Sequence, residues 1–207
     1  MLEAKRFERI DAILRYKQPD LQLFCDNVHS SRNLSAILRS CDGAGVLYLT
    51  YTTEDDCQLH IHKTITQGAH RWVERNHIST DKKCDFFKAK QAEGYQIVVT
   101  HLDEKALSFR EIDYTKPTLI VVGNEKEGVS EEIIAMADHT VVIPMKGMVQ
   151  SLNVSVATAL VLYEAQRQRE EKMFYDTSQL SEEERKRIKE AWLYRDVIMR
   201  RSKGRIL

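Results

Sequence analysis

The chain has no run approaching the ~20 apolar residues that a membrane-spanning helix needs. Its opening stretch, Met1 to Tyr16, interleaves charges with apolar side chains instead of offering the unbroken apolar segment of a signal peptide. A cytoplasmic protein is expected. The four cysteines, Cys25, Cys41, Cys57 and Cys84, form no CxxC pair, which excludes a zinc ribbon or a dithiol redox motif and leaves free, buried thiols. His60 and His62 would face one way on a strand, with His70 and His77 nearby. No carboxylate or cysteine completes a ligand spacing, so no metal is expected. Internal repeats, low-complexity tracts and long linkers are missing too, and with them the solenoid and disordered classes.

Nor is there an excess of charge of one sign, since 31 basic residues balance 31 acidic ones. That sum argues against a nucleic-acid partner, but the distribution argues the other way. Between Arg185 and Arg205 stand nine basic residues, including Arg185, Lys186, Arg187, Lys189 and Arg195, against only Glu190 and Asp196. This is either a solvated helix face or a cationic patch on a neutral body.

At 207 residues, 43% hydrophobic and 30% charged, the chain has room for one α/β domain with helical extensions. Leu2 to Tyr16 carries Phe7, Ile10, Ile13 and Leu14 at helical spacing and ends at Gln18-Pro19-Asp20. Apolar, β-prone runs recur at 21–25, 46–51, 96–100, 118–123 and 140–144. Helical patterns separate them at about 33–41, 81–93, 130–137 and 151–169. Strands alternating with helices predict βαβ units, a mostly parallel sheet with helices on both faces. The continuous apolar run Leu119-Ile120-Val121-Val122 fits a strand covered on both sides. After Arg169 the texture turns charged, and Ser181 before Glu182-Glu183-Glu184 predicts the cap of a second short helix. The expected organisation is an N-terminal helix over 1–20, a central domain over 21–169 and a basic helical extension over 170–207.

Ligands of parallel sheets gather beyond the carboxyl ends of the strands, and three loops there are unusual. Gly123-Asn124-Glu125-Lys126-Glu127-Gly128-Val129-Ser130 has the glycine spacing of a phosphate-binding loop. Val129 stands where the lysine that reaches the phosphates belongs, and two glutamates would repel a triphosphate. Ile143-Pro144-Met145-Lys146-Gly147-Met148-Val149-Gln150 leads into Ser151-Leu152-Asn153, where Ser151 is placed to cap the long helix. Spacing alone makes this a helix start and nothing more. The third runs from Asn27 through Asn33 to Gly45, with Leu34, Ile37, Leu38 and Cys41 at core-facing positions and Arg39 off that face. Alone, Arg39 reads as a surface charge.

Together and in this order, Asn33–Arg39, Gly123–Gly128 and Ile143–Ser155 resemble the three motifs of the SpoU branch of the SPOUT methyltransferases. The likeness extends from about Arg6 to Gln168. Thr100-His101-Leu102, 109–115 and 162–169 read like the subgroup that methylates a guanosine 2′ oxygen in tRNA, its target the D-loop guanosine at position eighteen. Ser30-Ser31-Arg32 departs from the Lys-Pro-His usual there. The resemblance implies a SPOUT fold with a C-terminal trefoil knot, a homodimer, tRNA as partner and S-adenosylmethionine as cofactor. It places the cofactor against the backbone at Thr100, Gly123, Ile143 and Leu152. It assigns Arg39 to the 2′ oxygen, Asn33 to the ribose or a phosphate, and Glu125, Ser151 and Asn153 to the reacting groups. Asn33 as a helix cap, and Glu125 and Asn153 as structural hydrogen-bonders, are the alternatives from the residues alone. A guanidinium is a poor base near neutral pH because it stays protonated. Holding the nucleophile and stabilising developing negative charge suits it better. Another tRNA or rRNA nucleotide, or an RNA-binding protein without catalysis, are the rival functions.

Overall fold

In the computed structural model, residues 2–124 and 126–201 are described, with side chains over 7–124 and 126–195. Glu125, Lys203, Gly204 and Arg205, and the side chains of Arg200 and Arg201, lie outside the described set. Seven parallel strands form one sheet: β1 (Leu21–Cys25), β2 (Tyr48–Tyr51), β3 (Glu74–His77), β4 (Gln96–Thr100), β5 (Leu107–Ser108), β6 (Thr118–Val122) and β7 (His139–Val142). Their spatial order is β3-β2-β1-β6-β4-β7-β5. β1 and β6 run in register from Leu21 opposite Thr118 to Cys25 opposite Val122 at the centre.

The helices are α1 (Leu2–Arg15), α2 (Ser31–Gly43), α3 (Lys63–Thr66), α4 (Lys83–Ala92), α5 (Glu131–Ile134), α6 (Val154–Glu171) and α7 (Glu182–Arg201). Alternation along the central strands decides who packs where. Leu23, Ile120 and Val122 meet Leu34, Ile37 and Leu38 of α2 and Val161 and Leu162 of α6. Phe24, Leu119 and Val121 meet Phe87 of α4 and Ile133 of α5. Each truncation of such a buried side chain to alanine costs about 2–5 kcal/mol, a large share of a margin of about 5–15 kcal/mol.

A third cluster joins the two ends of the chain. Ile10 and Leu14 of α1 pack with Leu47, Leu180, Ile188 and Trp192, and Trp72 meets Trp192 edge-on at 5.3 Å. Ser181 and Glu184 cap α7 reciprocally, Ser181 Oγ accepting from the Glu184 N–H and the Glu184 carboxylate accepting from Ser181. The helix runs twenty residues, longer than the short one predicted, because Ile188 and Trp192 recur on one face and have a groove to fill. Part of its basic run is spent internally. Arg185 and Lys189 pair with Asp11, Arg195 forks onto Glu74, and the Trp192 indole donates to Glu74. At the end of α6, Arg169 is fully buried, donating to Gln18, Asp20, the Tyr114 carbonyl and the Lys116 carbonyl. It pins α6 to the start of β1 and the start of β6. No helix among the described residues is long and apolar enough to cross a membrane.

Four sequence expectations are corrected. Ser151 does not cap α6. Asn153 does, its Oδ1 accepting from the Ser155 N–H at 2.8 Å, so the helix begins at Val154. His60 and His62 stand in irregular chain, because the neighbouring edge strand is formed further on by Glu74–His77, a polar sequence with no apolar alternation to betray it. Cys25 and Cys41 are buried, but Cys57 is exposed and Cys84 only partly covered. Asn33 does not cap α2. Ser30 takes that place and accepts from the Asn33 N–H at 3.2 Å.

Candidate active site

The loops beyond β4, β6 and β7 enclose a cleft of ≈ 630 Å³, within the range of about 300–1,000 Å³ usual for small-molecule sites. Thr100, Gly123, Ile143 and Leu152, the four positions expected to hold the cofactor, all line it, together with Ser151 and Asn153. Thr100 ends β4 and turns its hydroxyl to the Val121 carbonyl at 3.1 Å, fixing the rim between two strands. Ile143, just past β7, is half-buried against the core. The lining mixes apolar side chains, among them Leu102, Val141 and Leu152, with polar ones that include His101, Lys126, Glu127 and Gln150.

The loop after β6 explains why its phosphate-loop spacing holds no phosphate site. Asn124 and Gly128 exchange both backbone hydrogen bonds, at 3.1 and 3.2 Å. The Asn124 Oδ1 accepts from the N–H groups of Lys126 and Glu127, at 2.8 and 2.7 Å. The donors that would cradle an anion are already taken by a neutral amide. A Cβ at Gly123 would fall on the Gly128 carbonyl, so only glycine lets the loop close. Gly128 itself sits at φ +74°, in the left-handed region.

Arg39 lies in a second cleft, of ≈ 900 Å³, across the start of α6. Val154 and Ala157 face the first cleft, and Ser155, Val156 and Ala159 the second. The Arg39 side chain is exposed, with one contact from Nη1 to the Ile65 carbonyl at 3.5 Å, the limit of a hydrogen bond. Asn33 stays with the first group, its Oδ1 accepting from the Asn153 Nδ2 at 3.2 Å. Six residues apart on α2, Asn33 and Arg39 are separated by about 9 Å along the axis and roughly 120° around it. Within one chain Arg39 lines the second cleft, while Asn33 reaches the first only through Asn153. Glu125 falls outside the described residues.

Periodicity had no way to find the other members of the second cleft. Arg9 from α1, Arg71 and Tyr163 line it beside Arg39. Asp42 at its edge pairs with Lys17 at 2.8 Å, and burial holds the Lys17 ammonium below its ordinary pKa. Tyr163 crosses the end of α2 because Gly43 has no side chain, where a Cβ would approach the phenol oxygen to 2.8 Å. The only available signal was an exposed tyrosine on the long helix. Within the departing stretch Ser30-Ser31-Arg32, the two serines have structural tasks: the α2 cap, and a contact of 2.9 Å from Ser31 Oγ to His62 Nε2.

Residues 20–163 match the SpoU rRNA Methylase family. The chain belongs to that family. A SpoU relative from Aquifex aeolicus, a tRNA (guanosine(18)-2′-O)-methyltransferase, is 50% identical over 201 residues, covering 96% of this chain and 93% of its own. The crystal structure of the A. aeolicus TrmH/SpoU tRNA modifying enzyme superposes with a TM-score of 0.91 at 49% identity, over 95% of this chain and 99% of that one. The SpoU methyltransferase AviRb from Streptomyces viridochromogenes, solved in complex with AdoMet, superposes with a TM-score of 0.65 at 29% identity, over 74% of this chain and 62% of that one.

Proposed function

We propose that this SpoU protein methylates the ribose 2′ oxygen of the D-loop guanosine at position eighteen of tRNA, with S-adenosylmethionine as donor, in the cytoplasm and as a homodimer. The observation that carries the reading is the meeting of Thr100, Gly123, Ile143, Leu152, Ser151 and Asn153 in one cleft, on a chain half identical to a tRNA (guanosine(18)-2′-O)-methyltransferase over nearly its whole length.

The cleft fits the donor's chemistry. Backbone N–H and C=O groups at 100, 123, 143 and 152 can read an adenine edge, and the apolar side chains between them supply the slot. S-adenosylmethionine supplies a methyl group already activated on sulfur. The chain's part is to align the acceptor oxygen, whose proton passes to solvent as the new bond to the methyl carbon forms, and positioning is the larger contribution. Arg39 holds the 2′ oxygen and the neighbouring phosphate through its planar fork and stabilises negative charge as it develops on that oxygen. Asn33 and Asn153, already joined, orient the ribose from the helix start.

The separation of the two clefts supports the homodimer. Arg39 does not line the donor cleft of its own chain, while Val156, Leu160 and Tyr163 expose an apolar stripe on α6 at spacings of four and three residues. A second copy that covered this stripe and also brought its Arg39 to this donor cleft would complete the site. Of the basic run on α7, Lys186 and Arg187 remain exposed for RNA phosphates. Incubation with labelled S-adenosylmethionine and, in separate reactions, unmodified tRNA and rRNA, followed by mapping of the methylated ribose, tests the reading. Label at guanosine 18, lost when that base is replaced, is expected. Label in rRNA alone, or none, would overturn it.

A further inference from the structure

A buried charge lies under the donor cleft. Asp26, immediately after β1, is fully buried. Its Oδ2 accepts from the Ser130 N–H at 2.8 Å and its Oδ1 from the Thr52 hydroxyl at 3.3 Å. Lys83, at the start of α4 and 3% exposed, reaches it at 3.5 Å and also contacts Ser130 Oγ at 3.0 Å and Glu132 at 2.5 Å. The Asp26 N–H itself donates to the Val122 carbonyl, the residue before Gly123. The loop from β6 to α5 thus has three fastenings. Asn124 and Gly128 clasp its middle, Val122 ties its beginning to Asp26 through the backbone, and Ser130 ties its end to the same residue through the carboxylate.

A carboxylate and an ammonium buried together are seldom a gain in stability over an apolar pair of the same shape. What this pair provides is position. Ser130 sits at φ −63° and ψ 145°, outside the helix that follows, so nothing in α5 fixes its N–H. That N–H is held instead by the residue that follows β1 and precedes the loop to α2, the helix that carries Asn33. We infer that Asp26 is a positioning residue for methyl-donor binding, acting through the Ser130 N–H to hold the loop from Gly123 to Ser130 in the shape the cleft requires. The inference rests on the reading of that cleft as the S-adenosylmethionine site.

The charge and the anchor can be separated by substitution. Asp26→Ala removes both. Asp26→Asn keeps an acceptor for the Ser130 N–H but not the charge. Lys83→Met strips the cation from a buried carboxylate while leaving the Ser130 anchor in place. Binding of S-adenosylmethionine to each full-length variant, by calorimetry beside a melting curve, gives a pattern that a merely structural role would not. Asp26→Ala should weaken binding at least tenfold, and Asp26→Asn should restore it to within about threefold of wild type. Lys83→Met should lower the melting temperature most yet weaken binding less than Asp26→Ala. Binding losses that simply follow the losses in melting temperature, or Asp26→Ala binding within twofold of wild type, would overturn the inference. Should Asp26→Ala not fold, Ser130→Pro deletes the same N–H at a φ that proline accepts. Its binding must fall at least tenfold while Ser130→Ala stays within twofold, and equal binding by the two overturns the inference. Wild-type protein that fails to bind S-adenosylmethionine would instead overturn the reading of the cleft.

Discussion

The two clefts on either side of the α6 start are built from different materials. The donor cleft is backbone held in fixed shape. It depends on Gly123 lacking a side chain, on Asn124 consuming the loop's own N–H groups and on strand ends whose register is set by the core. The Arg39 cleft is side chains on helices, with Arg9, Arg39 and Arg71 converging from three separate elements and Arg39 scarcely held. A rigid slot suits a small ligand of constant shape, whereas several converging guanidinium groups suit a large polyanion. The difference predicts that damage to the first cleft abolishes binding of the small ligand and damage to the second spares it.

The largest effect is expected at Gly123. In Gly123→Ala the new methyl group meets the Gly128 backbone, which cannot yield as a flexible side chain would. The loop must move by an ångström or more, and displacement on that scale costs about 100-fold. S-adenosylmethionine binding should fall by at least ~100-fold, read by calorimetry, and tRNA binding by far less. Near-normal donor affinity would show that the loop's shape does not govern the site.

Arg39 should give the converse result. Arg39→Ala loses the whole fork and Arg39→Lys keeps the charge without the planar geometry, so both should lose turnover by at least ~100-fold. Donor affinity and melting temperature should hardly change, since the side chain is exposed and supports no core. Rapid turnover by Arg39→Lys would remove the fork as the essential feature, and rapid turnover by Arg39→Ala the assignment itself. The two variants also test where the clefts meet. If each site joins Arg39 of one chain to the donor cleft of another, co-expressed Gly123→Ala and Arg39→Ala chains form mixed dimers with one intact site. Activity should then recover to about a quarter of wild type, half the dimers being mixed and half their sites intact. No recovery would place both groups in one chain.

The same contrast explains what was legible in the sequence. The strands at 21–25, 96–100 and 118–122 were readable because largely apolar runs, most plainly Leu119 to Val122, are what a doubly covered strand requires. Glu74–His77 was not, because an edge strand facing ion pairs with α7 needs no apolar alternation. The donor cleft left a trace in its glycine and asparagine, residues whose backbone roles restrict the choice. The Arg39 cleft left almost none. Arg9, Arg71 and Tyr163 are ordinary surface residues until the fold sets them side by side, and only the family motif singled out Arg39. Asp26 was silent for the same reason, its partners Thr52, Lys83 and Ser130 lying 26, 57 and 104 positions away.

The smallest and most discriminating effect concerns Asn153, which belongs to both materials. Its Oδ1 caps α6 by accepting from the Ser155 N–H, a backbone task, and its Nδ2 donates to Asn33, a side-chain task. Asn153→Asp preserves the first and removes the second, and a carboxylate at a helix N-terminus is favourable in its own right. Its melting temperature should stay level or rise, while turnover falls about three- to tenfold through loss of one hydrogen bond worth about 0.5–1.5 kcal/mol. Asn153→Ala removes both and should also lose about 0.5–2 kcal/mol of stability. Full turnover in Asn153→Asp, with a loss in Asn153→Ala that follows only its melting temperature, would leave Asn153 a cap and nothing else. A fall in turnover without a fall in stability would show that the amide orients Asn33 for the reaction, and would make the start of α6 the point where the backbone cleft acts on the side chains of α2.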